Sequence, residues 1–277
     1  MSLVVNTNMA SLSAINALGK TQRSLGDTMA RLSEGLRITK AADDAAGLGV
    51  ATNLHAESVS GRQAMRNTND GISIIQTAEG ASDEVVDLLT RMRELAVESS
   101  SDTLASTERA YIQDEVTELV SEVARIAAAT EFNGIQLSDG SVTSLSVQVG
   151  VQNASSSRIS ITLSDLTTTT LGIGGSSTLD MTTAAGARTA IDTLDAALDT
   201  VNDYRSGLGA TQNRLDSAYS TMETYVENLS AAESQIRDAD FAYETAEMTK
   251  LQILQQSGIA VLAQAKGMNQ GAISLLN

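Results

Sequence analysis

The chain has 277 residues, a formal net charge of −16, only 3% aromatic side chains, and no Trp, Pro or Cys. Such an acidic chain repels phosphate backbones, which argues against nucleic acid as a partner, and without Cys there are no disulfides, thiolate metal sites or cysteine nucleophiles. The core must be built from Leu, Ile, Val, Ala and Met, which suits packed helices, and with no Pro those helices can run long.

The first thirty residues contain no basic run, and their longest apolar stretch is Leu3-Val4-Val5. No Sec-type signal is therefore expected, and no later stretch is long enough to enter and span a membrane. Ile15, Leu18, Leu25, Met29, Leu32 and Leu36 recur at helical spacing and predict an amphipathic N-terminal helix. Residues 37–50 then place two adjacent acids, Asp43 and Asp44, just ahead of Gly47 and Gly49. Paired carboxylates can serve catalysis, bind a metal, or mark a joint between helices. No further carboxylates follow at EF-hand spacing.

Two helices follow in the N-terminal half. One carries Ile75, Ala78, Ser82, Val85, Leu89, Met92 and Ala96 on a line; the other carries Ile112, Val116, Leu119, Val123 and Ile126. Between them Ser99-Ser100-Ser101-Asp102 reads as a turn, with Ser106 or Thr107 as the expected cap of the second helix. Residues 138–185 are poor in charge and rich in Ser, Thr and Gly. Period-two alternation in Leu145-Ser-Val147-Gln-Val149 and Ile159-Ser-Ile161-Thr-Leu163 predicts a β-hairpin there, a low-complexity linker being the alternative.

From Ile191 to Ile236 the pattern is clearest. Leu194, Val201, Leu208, Leu215, Met222, Leu229 and Ile236 stand at every seventh position, a coiled-coil seam. As one helix this stretch would run roughly 70 Å at ~1.5 Å per residue. The C-terminal segment sets Phe241, Met248, Leu251, Leu262 and Ala265 on one line, with Leu254, Ile259 and Val261 off it. A helix apolar over more than one stripe needs more than one partner, either elsewhere in its own chain or in neighbouring copies.

Enzymatic readings lack residues. His55 is the sole histidine, so His-based triads and His-rich zinc sites are not available. Gly19-Lys20-Thr21 imitates the end of a phosphate-binding loop, but Ala14 stands where its first glycine belongs. No cofactor, metal or catalytic activity is expected.

Several ordered motifs go further. They include R-L-S-E-G-L-R-I at 31–38, A-D-D-A-A-G-L at 42–48, R-N-T-N-D-G-I-S at 66–73, R-M-R-E-L-A-V at 91–97 and F-N-G at 132–134. L-G-A-T-Q-N-R-L at 208–215, Q-I-L-Q-Q-S-G at 252–258 and L-A-Q-A at 262–265 follow. With these the chain strongly resembles bacterial flagellin, in a short form lacking the large outer domains.

The resemblance implies a mainly α fold: a long-helix bundle with a small β-hairpin region, and terminal helices that pair in a filament core. It implies a discontinuous terminal domain of 1–42 and 240–277 around a bundle domain of 43–239, with Asp43, Asp44, Gly47 and Gly49 at the junction. Leu18, Leu25, Leu32, Leu251, Leu254 and Leu262 would lie on the assembly helices. The implied partners are further copies of the chain in a helical filament, an export chaperone and type III export apparatus, and hook-associated junction and cap proteins. A host toll-like receptor would meet Arg91, Leu95 and Glu115, with Arg91 and Leu95 facing outward together. The implied location is the secreted flagellar filament. Rival readings are a hook–filament junction protein and another coiled-coil surface scaffold.

Overall fold

The structure is a computed structural model that describes residues 7–175 and 178–274, with side chains to residue 267. Five α-helices carry the chain: α1 (Met9–Glu34), α2 (Ala45–Ser99), α3 (Ser106–Ala129), α4 (Ala184–Arg237) and α5 (Phe241–Ser274). Four short strands lie between α3 and α4: β1 (Glu131–Phe132), β2 (Ile135–Gln136), β3 (Ser144–Gln148) and β4 (Arg158–Thr162). Among the described residues no helix is long and apolar enough to cross a membrane. The chain divides into two compact units, Met1–Ala56 with Asn228–Asn277, and Glu57–Glu227.

The second unit is built on the seams legible in the sequence. Ile75, Ala78, Val85, Leu89, Met92 and Ala96 of α2 are wholly buried, as are Leu194, Val201, Leu208 and Leu215 of α4. Val116 and Val123 of α3 join the same core. Ser82, polar on an apolar line, is satisfied by donating to the Ala78 carbonyl one turn back (2.7 Å). Ion pairs sit at the core's edge, Arg93 with Asp195 and Arg205 with Asp83. The helix containing residues 75–96 begins thirty residues earlier than its seam, at Ala45. With no Pro to stop it, it passes straight through its glycines. α4 likewise starts at Ala184, where Thr183 Oγ1 accepts from the Gly186 N–H (3.0 Å).

Two local expectations need correction. Neither Ser106 nor Thr107 caps α3: the cap position is Ala105, whose N–H donates to Glu108 Oε2 (2.9 Å). The turn itself is held by Arg109, whose guanidinium donates to the carbonyls of Ser99 (2.9 Å) and Ser101 (2.6 Å). Leu95 does not face outward. It is 3% exposed and belongs to the core.

Strands β3 and β4 pair antiparallel with Leu145 opposite Ile161 and Val147 opposite Ile159, the register that the alternation predicts. A second hairpin joins β1 to β2 through Asn133 (φ 50°) and Gly134 (φ 77°). Both central residues have positive φ, as a two-residue type I′ turn demands, and Asn-Gly is the pair that best tolerates it. The following Ser/Thr-rich segment is no linker. Leu166, Leu171, Ile173, Leu179 and Met181 are buried. The segment is tied down by Met181 N–H to Gln113 Oε1 (2.7 Å) and Ser99 Oγ to the Met181 carbonyl (2.6 Å).

In the first unit α1 and α5 run antiparallel. Asn8 Nδ2 donates to the Ala265 carbonyl (2.9 Å) at one end, and Arg31 lies 3.6 Å from Glu244 at the other. On α1 the inward line is Ser11, Ala14, Leu18, Thr21, Leu25, Thr28 and Leu32; on α5 it is Glu244, Met248, Leu251, Gln255, Gly258, Leu262 and Ala265. Both alternate steps of three and four, the spacing of a coiled-coil seam. The seam is unusually polar and small, and at Gly258 even a Cβ would come within 3.4 Å of Leu18 Cδ1. Phe241, expected on this line, is instead 65% exposed.

Candidate functional site

The joint between α1 and α2 holds the two adjacent acids, Asp43 and Asp44. α1 ends on Gly35 in the left-handed conformation (φ 71°), whose N–H donates to the Arg31 carbonyl (2.8 Å). The next residues pair with those that follow α4: Arg37 N–H to the Arg237 carbonyl (2.7 Å), Ala239 N–H to the Gly35 carbonyl (3.0 Å), and a bridge between Leu36 and Asp238. Asp240 then caps α5, its Oδ1 accepting from Ala242 N–H (2.9 Å) and Tyr243 N–H (3.2 Å).

The two acids take separate tasks. Asp44 caps α2, its Oδ1 accepting from the Gly47 N–H (2.8 Å). Asp43 closes the preceding turn, its Oδ2 accepting from Lys40 N–H (3.1 Å) and Thr39 N–H (3.2 Å), while Arg31 stands 3.6 Å away. The Lys40 and Thr39 amides, with help from the Thr39 hydroxyl and the Arg31 charge, hold the Asp43 carboxyl below the ordinary aspartate range. The glycines differ. A Cβ on Gly47 would overlap the Asp44 carboxylate and sit 3.0 Å from Ile38 Cδ1, whereas Gly49 has open space around it. Neither acid turns towards a metal-like cluster: among the described residues no three His, Cys, Asp or Glu side chains are placed to hold an ion.

The other residues singled out in the sequence fall into two groups. Leu18, Leu25, Leu32, Leu251 and Leu262 all lie on the α1–α5 seam, covered by their own chain, while Leu254 is exposed. Ile15 and Met29, expected on the α1 line with Leu18 and Leu25, are instead exposed, as are Met9 and Leu12; on α5 Ile253 is exposed together with Leu254, Ile259 and Val261, which the sequence already set off the line. Ile15 and Met29 stand two heptads apart beside the α1 seam, and Leu254 and Val261 one heptad apart beside the α5 seam. A helical wheel drawn outward from the buried line would have found them.

Arg91 and Glu115 are brought together. Arg91 donates from Nε (3.1 Å) and Nη2 (2.9 Å) to Glu115 Oε1, and from Nη1 to Glu94 Oε2 (3.2 Å). The Glu115 and then the Glu94 hydrogen bonds raise the Arg91 pKa above its ordinary value. Both partners are about half exposed, so the pair is solvent-screened and orders a surface more than it stabilises a fold. Leu95, one helical turn after Arg91, is buried in the core.

Two outcomes test the joint. Gly47→Ala is expected to destabilise the first unit by displacing the Asp44 cap, at about 1 kcal/mol or more. Gly49→Ala should stabilise by about 0.4–1 kcal/mol through unfolded-chain entropy and helix propensity; urea unfolding of the two variants separates them. Asp43→Asn reads the depressed carboxyl. Stabilisation from a carboxylate with a lowered folded pKa is present above the unfolded value, about 3.9, and lost as pH falls through the folded one. The stability gap between wild type and Asp43→Asn should therefore be full at neutral pH and close on acidification, measured by urea unfolding at several pH values.

Comparisons with known proteins agree over nearly the whole chain. The bacterial flagellin N-terminal helical region matches residues 5–143, and the bacterial flagellin C-terminal helical region matches 191–276. A flagellin of Halalkalibacterium halodurans is 41% identical over 99% of this chain and 100% of its own length. The crystal structure of Bacillus cereus flagellin aligns with a TM-score of 0.50 at 30% identity, over 57% of this chain and 88% of its own. A chain described as a flagellar hook-associated protein from Vibrio parahaemolyticus shares the fold, with a TM-score of 0.60 over 71% of this chain and 100% of its own, but at 14% identity. With both flagellin regions matched and a flagellin relative aligned end to end, the chain belongs to the bacterial flagellin family, whose members are the structural subunits of the flagellar filament.

Proposed function

We propose that this chain polymerises, copy upon copy, into the extracellular flagellar filament, and that the exposed apolar faces of α1 and α5 are the surfaces that meet in its core. The observation that carries this reading is the incomplete burial of the terminal pair. Each helix covers one seam on the other and leaves Leu12, Ile15 and Met29, or Ile253, Leu254, Ile259 and Val261, in water. At about 25 cal/mol per Å² of apolar area removed from water, covering these side chains drives association. Contacts repeated head to tail without closing a ring produce an open helix of subunits. The polymer then acts mechanically, turning motor rotation into thrust, with no catalysis of its own.

Two features support a filament subunit over a junction protein: identity to flagellin extends through residues 66–134 as well as both ends, and the hook-associated likeness is one of fold alone. Export as an unfolded chain through a type III apparatus, escorted by a chaperone, fits a sequence without Cys or Pro, where neither mispaired disulfides nor slow prolyl isomerisation can delay folding at the tip. The terminal domain of 1–42 and 240–277, the bundle of 43–239, and contacts with hook-associated junction and cap proteins complete this reading.

Removing the residues after Leu262 should abolish polymerisation, and so should Leu254→Asp with Ile259→Asp. Circular dichroism should remain helical in both, because the bundle has its own core. Electron microscopy after cooling heated monomer checks this; normal filaments from either variant would refute the assignment of these faces.

Recognition of the monomer by a host toll-like receptor is proposed at Arg91 and Glu115, with Leu95 supporting the patch from below. Arg91→Ala should lower receptor signalling by purified monomer while leaving the unfolding midpoint nearly unchanged. Leu95→Ala should lower both, since it opens a cavity in the core at a cost of about 2–5 kcal/mol. A silent wild-type monomer would end the receptor reading.

A further inference from the structure

The chain has no Cys, so its most readily oxidised sulfur is methionine. Its methionines differ sharply in access. Met92 and Met181 are fully buried, Met65, Met222 and Met248 are partly covered, and Met9 and Met29 are 65% and 47% exposed. Among the described side chains these last two are the only exposed methionines, and both lie on α1. Met29 shares a flank with Ile15, two heptads away, and Met9 stands one turn before Leu12. α5 thus leaves both side chains uncovered, Met29 on the Ile15 flank and Met9 in the first turn of α1.

We infer that Met9 and Met29 are an oxidation site through which peroxide controls self-association. The chemistry is two-electron oxygen transfer. The thioether sulfur attacks one peroxide oxygen, the O–O bond breaks and an S–O bond forms. Sulfur loses two electrons, and the other oxygen takes up a proton and leaves as water. The sulfoxide is polar and accepts hydrogen bonds, so a flexible apolar side chain becomes one that resists burial. On the α1 flank it would meet an apolar surface of a second copy with no donor to satisfy it. In the bundle Met92 and Met181 are fully buried and Met65 and Met222 partly covered, so at a low dose the effect falls first on the two exposed sulfurs of α1. Reduction by methionine sulfoxide reductases restores the thioether and makes the change reversible. The effect on assembly rests on the filament reading above; the accessibility of the two sulfurs does not.

The test uses full-length monomer exposed to dilute hydrogen peroxide, quenched, digested and mapped by mass for the gain of one oxygen. Sulfoxide is expected at Met9 and Met29 well before Met92 and Met181. The treated monomer should keep its helical circular dichroism and show a critical concentration for polymerisation raised at least about fivefold, the change that about 1 kcal/mol for one unsatisfied buried polar group would cause. Reductase treatment should reverse the rise. The Met9→Leu, Met29→Leu double variant keeps apolar side chains of similar volume, and its critical concentration, whatever its untreated value, should be the same with and without peroxide. Equal oxidation of exposed and buried methionines overturns the site. Oxidised Met9 and Met29 with an unchanged threshold, or a double variant that peroxide still blocks, overturns the control of assembly. Untreated protein that never polymerises overturns the filament reading and that control with it, while the order of oxidation is still read from the mass map.

Discussion

An α-helix in water buries one stripe of apolar side chains at a time, and everything in this molecule follows from how many stripes each helix has and how many are covered. α2, α3 and α4 turn their apolar faces towards one another and close them over with the β3–β4 hairpin and the segment holding Leu166 to Met181. That unit has a complete core of its own. α1 and α5 are built differently. Their mutual seam is diluted by Ser11, Thr28, Gln255 and Gly258, and their larger apolar side chains are distributed around the helices.

This difference in covering explains why one protein can be both a stable fold and a polymer subunit. A seam of small and polar residues fixes the partner and register of α1 and α5 through close approach and end contacts, such as Asn8 with Ala265 and Arg31 with Glu244. It contributes little apolar burial. In the filament proposed above, the free energy still available on the outer faces would drive contacts between copies. A fully apolar seam with polar outer faces would have given a tighter pair and no reason to associate.

The joint shows how little chemistry is needed to turn a chain between long helices. One glycine with positive φ ends α1, one aspartate satisfies the turn, and the next caps the following helix. Arg31, between Asp43 and Glu244, ties the turn to α5 as well. Paired acids, a pattern that can serve catalysis, are here consumed by backbone amides. Their hydrogen-bonding capacity is used in building the corner, and Asp43's lowered pKa records that use.

The sequence by itself determined the helical class, the α2 and α4 seams, the β3–β4 register and the family, because each is written in local periodicity or in ordered motifs. Its motif F-N-G also held the Asn133–Gly134 turn, which could have been read from the positive φ that such a turn requires. Tertiary structure alone decided the rest. Leu95 stands off the Leu89–Met92–Ala96 line yet is buried, since a helix touched by more than one neighbour buries a wider arc than a two-stranded seam does. Phe241 and Leu254 look as apolar as Leu251 but point away from α1, because the rotation of α5 about its axis is set by its partner and leaves no trace in composition. The loop from Leu166 to Met181 reads as rich in Ser, Thr and Gly and poor in charge, and only the core beneath it gives its scattered apolar residues something to bury against.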